Sequence, residues 1–223
     1  HSQQDDGYRS AAGHPCRGNG PPVIKRAFDV VSSGLALLLL WPLMGTIGLL
    51  LRAKHGAPVI FRQTRVGLKG ESFQLHQFRT MEQEAGMLVT TGEDPRIHRL
   101  GRVLRASKLD ELPQFWDVFR GRMSIVGPRP EVPEFVEYWP SGQRSIILSV
   151  RPGITDPASV QFRHEAEFLA TFHDPGKAYI EVVLPQKCGL YVNYVEDQSF
   201  GKDIRVVFAT LVALTRRVGS AID

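Results

Sequence analysis

The sequence predicts an α/β chain, mostly helical with one small β-hairpin, held at a membrane by an N-terminal re-entrant helix-break-helix and by amphipathic helices in the interface. Three observations carry this. Residues Val30 to Leu51 are 22 uncharged, mostly apolar positions with Pro42 among them and basic residues on both flanks. Two β-leaning runs, Pro58-Val59-Ile60-Phe61 and Ser72-Phe73-Gln74-Leu75-His76, are separated by Gly67 and Gly70. From Arg96 onward the apolar residues recur at helical spacing.

Taken in chain order, residues 1–22 lack an initiating Met and are rich in Gly, Pro, Ser and Gln, the composition of a disordered tail or a non-native extension. Residues 23–54 form the apolar hairpin. At about 1.5 Å per residue, its 22-residue core is long enough to cross a hydrocarbon layer of roughly 30 Å. Lys25 and Arg26 precede it and Arg52 and Lys54 follow it, so both ends favour the cytoplasmic side. Pro42 removes a backbone hydrogen bond and provides the break between two arms that enter and return on one face. A cleaved signal fits poorly, because the run is too long and no small-residue cleavage site follows it. A buried core helix would need partners on every face, since Leu35, Leu37 to Leu40, Leu43, Met44, Ile47 and Leu49 to Leu51 leave no polar stripe. A straight spanning helix is the main rival.

Residues 55–223 make one domain with its own core. The hairpin opens it. Between Arg96 and Phe119, Ile97, Leu100, Val103 and Leu104 share one helical face, and Leu112, Phe115, Trp116 and Phe119 share another. Met123–Val126 is a short strand candidate, ending in the rigid Gly127-Pro128-Arg129-Pro130. Helices are expected from about Val132 to Trp139 and around Gln143 to Ser149, before the break at Arg151-Pro152-Gly153. Ile204, Val207, Phe208 and Leu211 mark an amphipathic C-terminal helix that fits either the core or the membrane interface.

The formal charge of +4 and pI near 9.2 fit an anionic partner: membrane surface, nucleic acid or phosphorylated substrate. Two cysteines, Cys16 and Cys188, make neither a disulfide framework nor a zinc set and suit a reducing cytoplasmic setting. His55, His76, His98, His164 and His173 lack metal-ligand spacing. Tyr179, Tyr191 and Tyr194 suit either a headgroup-level belt or ordinary packing.

The distribution of basic residues is more telling than the net charge. Between Arg62 and Arg151 there are twelve arginines and two lysines, Lys69 and Lys108. A guanidinium fork matches phosphate oxygens bidentately where an ammonium offers a point charge, so the cluster points to phosphate. Few aromatics are interleaved with it and no nucleic-acid module is present, which argues against nucleic acid. Asp110-Glu111 is the acidic island in this stretch. Ser107 and Asp110 have capping-box spacing, but a helix capped at Ser107 would carry Pro113 beyond its first turn. A helix starting nearer Pro113 leaves both carboxylates at its N-terminal end or on the turn before it. Ionised carboxylates near bound phosphates call for a divalent cation, with Mg²⁺ held by one or two carboxylates and phosphate oxygens, or for attack on phosphorus by the carboxylate itself.

Lys25-Arg26-x-x-Asp29, Phe61-Arg62-Gln63-x-Arg65-x-Gly67, Phe78-Arg79-Thr80-Met81, Asp94-Pro95-Arg96, Gly101-x-x-Leu104-Arg105, Leu109-Asp110-Glu111-Leu112-Pro113-Gln114, Met123-Ser124-x-Val126-Gly127-Pro128-Arg129-Pro130 and Arg151-Pro152-Gly153-Ile154-Thr155 occur in that order. Together they resemble the bacterial sugar transferases, the monotopic polyprenyl-phosphate phosphoglycosyltransferases, from about Lys25 to the C-terminus. The resemblance implies an enzyme of the cytoplasmic face of the inner membrane, anchored by a re-entrant helix. It would move the phosphosugar of a UDP-sugar to polyprenyl (undecaprenyl) phosphate and release UMP, starting assembly of a bacterial surface glycan. It implies Asp110 as nucleophile on the β-phosphate and as a Mg²⁺ ligand, with Glu111 its catalytic partner. Arg105 would hold phosphate and Arg129 would sit at the nucleotide; Arg62, Arg65, Arg79 and Arg151 complete the expected substrate-binding set. Expected partners are the UDP-sugar, the polyprenyl phosphate, membrane lipids and a second copy in a homodimer, with no nucleic acid.

The chain departs from the family pattern in three places. Gln77 stands where many members have lysine, Asp156-Pro157-Ala158-Ser159-Val160 replaces a Gly-Trp-Ala-Gln-Val segment, and Tyr191 aligns where an Asp is often found. These leave Asp110-Glu111 intact and suggest a subfamily with a different donor. The alternative function is a non-catalytic membrane protein that binds anionic lipid or nucleotide.

Overall fold

The computed structural model describes residues 22–82, 94–162 and 165–220. The expected tail lies outside them except at Pro22, and so do Cys16 and His164.

Helix α1, Pro22–His55, runs through Pro42 as one element rather than two arms. It is long and apolar enough to cross a membrane, yet both of its ends are fastened to the same domain. At the N-terminal end, Lys25 Nζ donates to Val126 O at 3.0 Å and pairs with Asp203 at 2.5 Å. Arg26 donates to Val118 O and Phe119 O at 2.8 and 2.9 Å. Asp29 Oδ1 accepts from Ser124 Oγ and Ile125 N at 3.0 and 2.9 Å. At the other end, Ile47 and Leu51 are buried with Phe78, Leu104 and Leu112; full burial of one such side chain stabilises by roughly 2 kcal/mol. Between the two attachments Leu35, Leu38, Leu39, Trp41 and Leu43 are exposed.

Strands β1 (Ile60–Val66) and β2 (Ser72–Phe78) form the expected antiparallel hairpin, with Gln63 opposite Leu75. Period-two alternation turns Gln63 and Arg65 inward and leaves Arg62 and Thr64 exposed. Helices α2 (Arg99–Ala106) and α3 (Gln114–Phe119) follow, joined through a 3-10 turn at Leu109–Glu111. His98 caps α2, its Nδ1 accepting from Gly101 N at 2.8 Å. Ser107 ends α2 rather than starting a helix, and its Oγ donates back to Val103 O and Leu104 O. The shared face expected of α2 is narrower than its spacing implied: Leu104 is buried but Val103 is exposed. In α3, Val118 is buried while Trp116 and Phe119 stack on the outer surface. Asp117 pins α3 to β2 by accepting from His76 N at 3.0 Å.

Strand β3 (Ser124–Val126) pairs in parallel with β4 (Gly153–Thr155), a pairing the sequence did not announce. The two chains cross closely, and a Cβ on Gly127 would stand 2.4 Å from Arg151 O. That contact fixes the turn carrying Arg129. The remaining helices are α4 (Pro133–Val136), α5 (Ser141–Ile147), α6 (Pro157–Gln161), α7 (Glu165–Ala170), α8 (Pro175–Ala178), α9 (Leu184–Glu196, entered through a π turn) and α10 (Phe200–Ser220). Val136, Trp139, Ile147, Val183, Leu184 and Cys188 form one core cluster, and Leu75, Val118, Met123, Val126 and Val195 form another. Tyr179, Tyr191 and Tyr194 are all buried, so they belong to ordinary packing. Ile204, Phe208 and Leu211 of α10 are exposed and Val207 packs inward, so α10 covers the core with one face and leaves an apolar face uncovered.

Candidate active site

Lys108 adopts a left-handed conformation, φ 59°, uncommon for a residue with a Cβ. This sharp turn ends the α2 path and starts the 3-10 turn, so Asp110 and Glu111 stand between α2 and α3 instead of on a continuous helix. Both are buried, and their surroundings differ.

Glu111 is fully engaged. Its Oε1 accepts from Arg129 Nη2 at 2.6 Å and from Lys108 Nζ at 3.2 Å. Burial opposes its charge, but the adjacent Arg129 and Lys108 cations outweigh that and hold its pKa down to about 2. Asp110 differs: its Oδ1 is buried and has no hydrogen-bond partner among the described residues. Burial, and then the charge of Glu111, raise its pKa to about 6, against the pull of Lys108, Arg105 and Arg129. The adjacent carboxylates are thereby separated into one neutralised by a guanidinium and one left available.

Arg105, from the last turn of α2, is half-buried, and Asp110 is its strongest opposite charge. Among the described residues its one hydrogen-bond acceptor is Met81 Sδ at 3.4 Å, a weak one. Its remaining donors are available to an anion. Arg65 approaches from β1 and donates to Pro130 O at 3.1 Å and Gln63 Oε1 at 2.7 Å, while facing Glu131 at 3.5 Å. Glu131 in turn accepts from Tyr179 OH, which supports the base of the Arg129 turn.

Of the residues expected at the site, Asp110, Glu111, Arg105, Arg129 and Arg65 come together. Three others do not. Arg62 lies on the exposed face of β1, since an odd separation on a strand puts it opposite Arg65. Arg79 caps the C-terminal end of α1, donating to the carbonyls of His55, Gly56 and Ala57. Arg151 donates to Gly121 O at 2.9 Å, beside Arg26. Sequence reasoning gave no role to Lys108 or Gln114. The side chain of Gln114 is buried one turn after Asp110 with its Nε2 unpartnered, and its place in Leu-Pro-Gln was the only available signal. Asp156 and Tyr191, which belong to two of the three departures from the family pattern, both lie within electrostatic reach of Arg129.

Among the described residues, no three or more His, Cys, Asp or Glu side chains gather as a metal cage. The unpaired Oδ1 of Asp110 is one hard oxygen donor open to a cation. One carboxylate completed by substrate phosphates and water is the usual donor set for Mg²⁺, so these residues fit that ion.

Comparison with known proteins places the chain among relatives of one family. The family described as bacterial sugar transferase matches residues 21–217. A UDP-glucose:undecaprenyl-phosphate glucose-1-phosphate transferase of Escherichia coli (strain K12) is 36% identical over 195 residues, covering 85% of this chain and 39% of the relative. The protein of that name from Caulobacter vibrioides is 34% identical, covering 85% and 69%. An exopolysaccharide production protein of Rhizobium leguminosarum bv. phaseoli is 35% identical over 216 residues, covering 88% and 98%. The chain thus spans about two fifths of the Escherichia coli relative and nearly all of the Rhizobium one.

Proposed function

The chain belongs to the bacterial sugar transferase family, and from that premise we propose that it transfers a sugar 1-phosphate from a UDP-sugar to undecaprenyl phosphate at the cytoplasmic face of the inner membrane. The observation that carries this reading is the buried, unpartnered Oδ1 of Asp110 beside Arg105 and Arg129. In the first step an Asp110 carboxylate oxygen attacks the β-phosphorus of the donor. The bond from that phosphorus to the oxygen bridging the α-phosphate breaks, and UMP departs with the bonding pair. In the second, an oxygen of the lipid phosphate attacks the same phosphorus and displaces the Asp110 carboxylate, giving the diphosphate-linked lipid sugar. Mg²⁺ bound at Asp110 and the donor phosphates would neutralise charge on those phosphates. Arg105 supplies donors for the charge spread over the phosphoryl oxygens. Glu111 holds Arg129 at the end of its rigid turn, so the second guanidinium is oriented before substrate arrives.

The membrane path of α1 follows from its attachments. A helix whose Lys25–Asp29 end and Leu51–His55 end both bind one domain cannot leave that domain on the opposite side of a bilayer. This supports the re-entrant path. The outward apolar face of α10, together with Trp116 and Phe119, supports an interfacial lie for the domain.

The test is UMP release from a panel of UDP-sugars with Mg²⁺ and undecaprenyl phosphate, with intact-mass detection of the phosphosugar adduct when lipid is withheld. UMP from one donor and an adduct, both lost in Asp110→Asn by a factor of about 10³ or more, is the expected result. UMP release that persists in Asp110→Asn overturns the nucleophile assignment, and donor binding without UMP returns the non-catalytic reading.

A further inference from the structure

The first turns of α1 form one wall of an open groove of about 640 Å³, lined by Val23, Arg26, Ala27, Val30, Val31 and Arg151. Val23 and Val31 are 73% and 68% exposed, so the wall is an uncovered apolar surface. Its charged side has an unusual composition. Arg26 is oriented by the carbonyls of Val118 and Phe119 and Arg151 by that of Gly121. The Arg26 guanidinium lies 3.2 Å from where a Gly121 Cβ would be, so both groups converge on one turn. They repel one another across it. Among the described residues no carboxylate forms an ion pair with either; Asp29, whose charge partly offsets that of Arg26, accepts through Oδ1 from Ser124 and Ile125 instead. The active-site arginine Arg129, by contrast, has a carboxylate of its own.

Neutral carbonyls orient a guanidinium without cancelling its charge. Arg151 spends only Nε on Gly121, which leaves both terminal nitrogens for a ligand. Two uncancelled guanidinium groups at the head of an apolar channel match a phosphate-headed amphiphile. We propose that this groove holds one anionic phospholipid of the surrounding membrane, its headgroup phosphate between Arg26 and Arg151 and an acyl chain along Val23, Ala27, Val30 and Val31. The inference rests on α1 lying in the membrane but not on the transfer chemistry. Such a lipid would orient the N-terminal arm of α1, which also carries the contacts to β3 and α10.

The full chain is equilibrated in nanodiscs of equal phosphatidylglycerol and phosphatidylcholine, released, and its bound lipid measured by native mass spectrometry. One retained phosphatidylglycerol is expected. Its retention should fall about five-fold in Arg151→Gln and by a similar factor in Val31→Glu, which sets a carboxylate in the groove at an exposed position without disturbing packing. Retention should not change in Arg102→Gln, a control for the loss of one surface arginine on α2. Equal retention of phosphatidylcholine, an equal loss in Arg102→Gln, or displacement of phosphatidylglycerol by equimolar undecaprenyl phosphate overturns the proposal; the last would assign the groove to the acceptor. Flotation on vesicles reports the membrane premise separately, and neither readout requires turnover.

Discussion

The turn at Asp110 and the groove at the start of α1 are both built around arginines, and they differ in what those arginines hold. In the turn, Arg129 is paired with Glu111 at 2.6 Å with Glu111 buried. In the groove, the partners of Arg26 and Arg151 among the described residues are backbone carbonyls. The first arrangement settles the charge of the guanidinium within the protein and makes it a fixed part of the scaffold. The second settles only its direction. Arginine content alone would mark both as phosphate sites, whereas partner chemistry distinguishes the proposed reaction centre, whose guanidinium is paired, from the proposed lipid groove, whose guanidinium groups are not.

Breaking the internal pair should have the largest effect. Arg129→Ala leaves Glu111 buried with Lys108 as its remaining hydrogen-bond donor among the described residues, and the expected cost is about 3 kcal/mol in thermal or urea unfolding, together with loss of UMP release. The double variant Arg129→Ala/Glu111→Gln should recover much of the stability and none of the activity. If Arg129→Ala proved as stable as the parent chain, the internal pair would not differ from the groove in kind.

The same pair predicts a pH signature with two opposite slopes. Glu111, depressed to about 2 from 4.5, contributes stability that is present above pH 4.5 and lost as pH falls toward 2. Asp110, raised from 3.8 to about 6, acts the other way: between those values the folded protein binds the extra proton, so stability falls as pH rises through the window. Unfolding measured from pH 4 to 6 should show a steeper decline in the parent than in Asp110→Asn, where the raised Asp117 still contributes. UMP release should gain its acid limb near pH 6, as the nucleophile ionises.

Smaller effects come from the groove and the outer strand. Arg26→Ala removes the donor to Phe119 O and one of two donors to Val118 O, which Gly121 N also serves, and a loss of about 1 kcal/mol is expected, with the KM for donor unchanged. Arg62→Ala should alter stability by under about 0.5 kcal/mol and leave UMP release within roughly two-fold, since its strand face turns it away from the site. A large loss of activity in Arg62→Ala would show that the exposed face of β1 also meets substrate.

What the sequence made legible follows how local each signal is. The β1–β2 hairpin, the short strand before Gly127 and a helix beginning at Pro113 are set by neighbours a few residues apart, and all were readable. The family motifs located Asp110 and Glu111, and Arg105 and Arg129 with them. The parallel partner β4 was not readable, because three residues carry no periodicity and the pairing depends on the close approach of Gly127 and Gly153. Nor could motif membership separate Arg65 from Arg62, Arg79 and Arg151. All four stand in segments shared with the family, and only tertiary contacts send Arg79 to the end of α1 and Arg151 to Gly121. The division of labour between Asp110 and Glu111 was equally hidden. It depends on Lys108 taking a left-handed turn that a lysine seldom adopts.

The double fastening of α1 has a mechanical consequence. Its middle, where Leu38, Leu39, Trp41 and Leu43 are exposed and Leu40 rests on the second footing, is a bridge between two footings: Lys25, Arg26 and Asp29 at one, Ile47, Leu51 and the Arg79 cap at the other. Neither footing depends on the chain being continuous between them. A protein nicked near Pro42 should therefore stay assembled as two fragments that co-purify, and co-expressed halves should find one another. The apolar span is in that sense a loop closed by the domain, rather than a stalk from which the domain hangs.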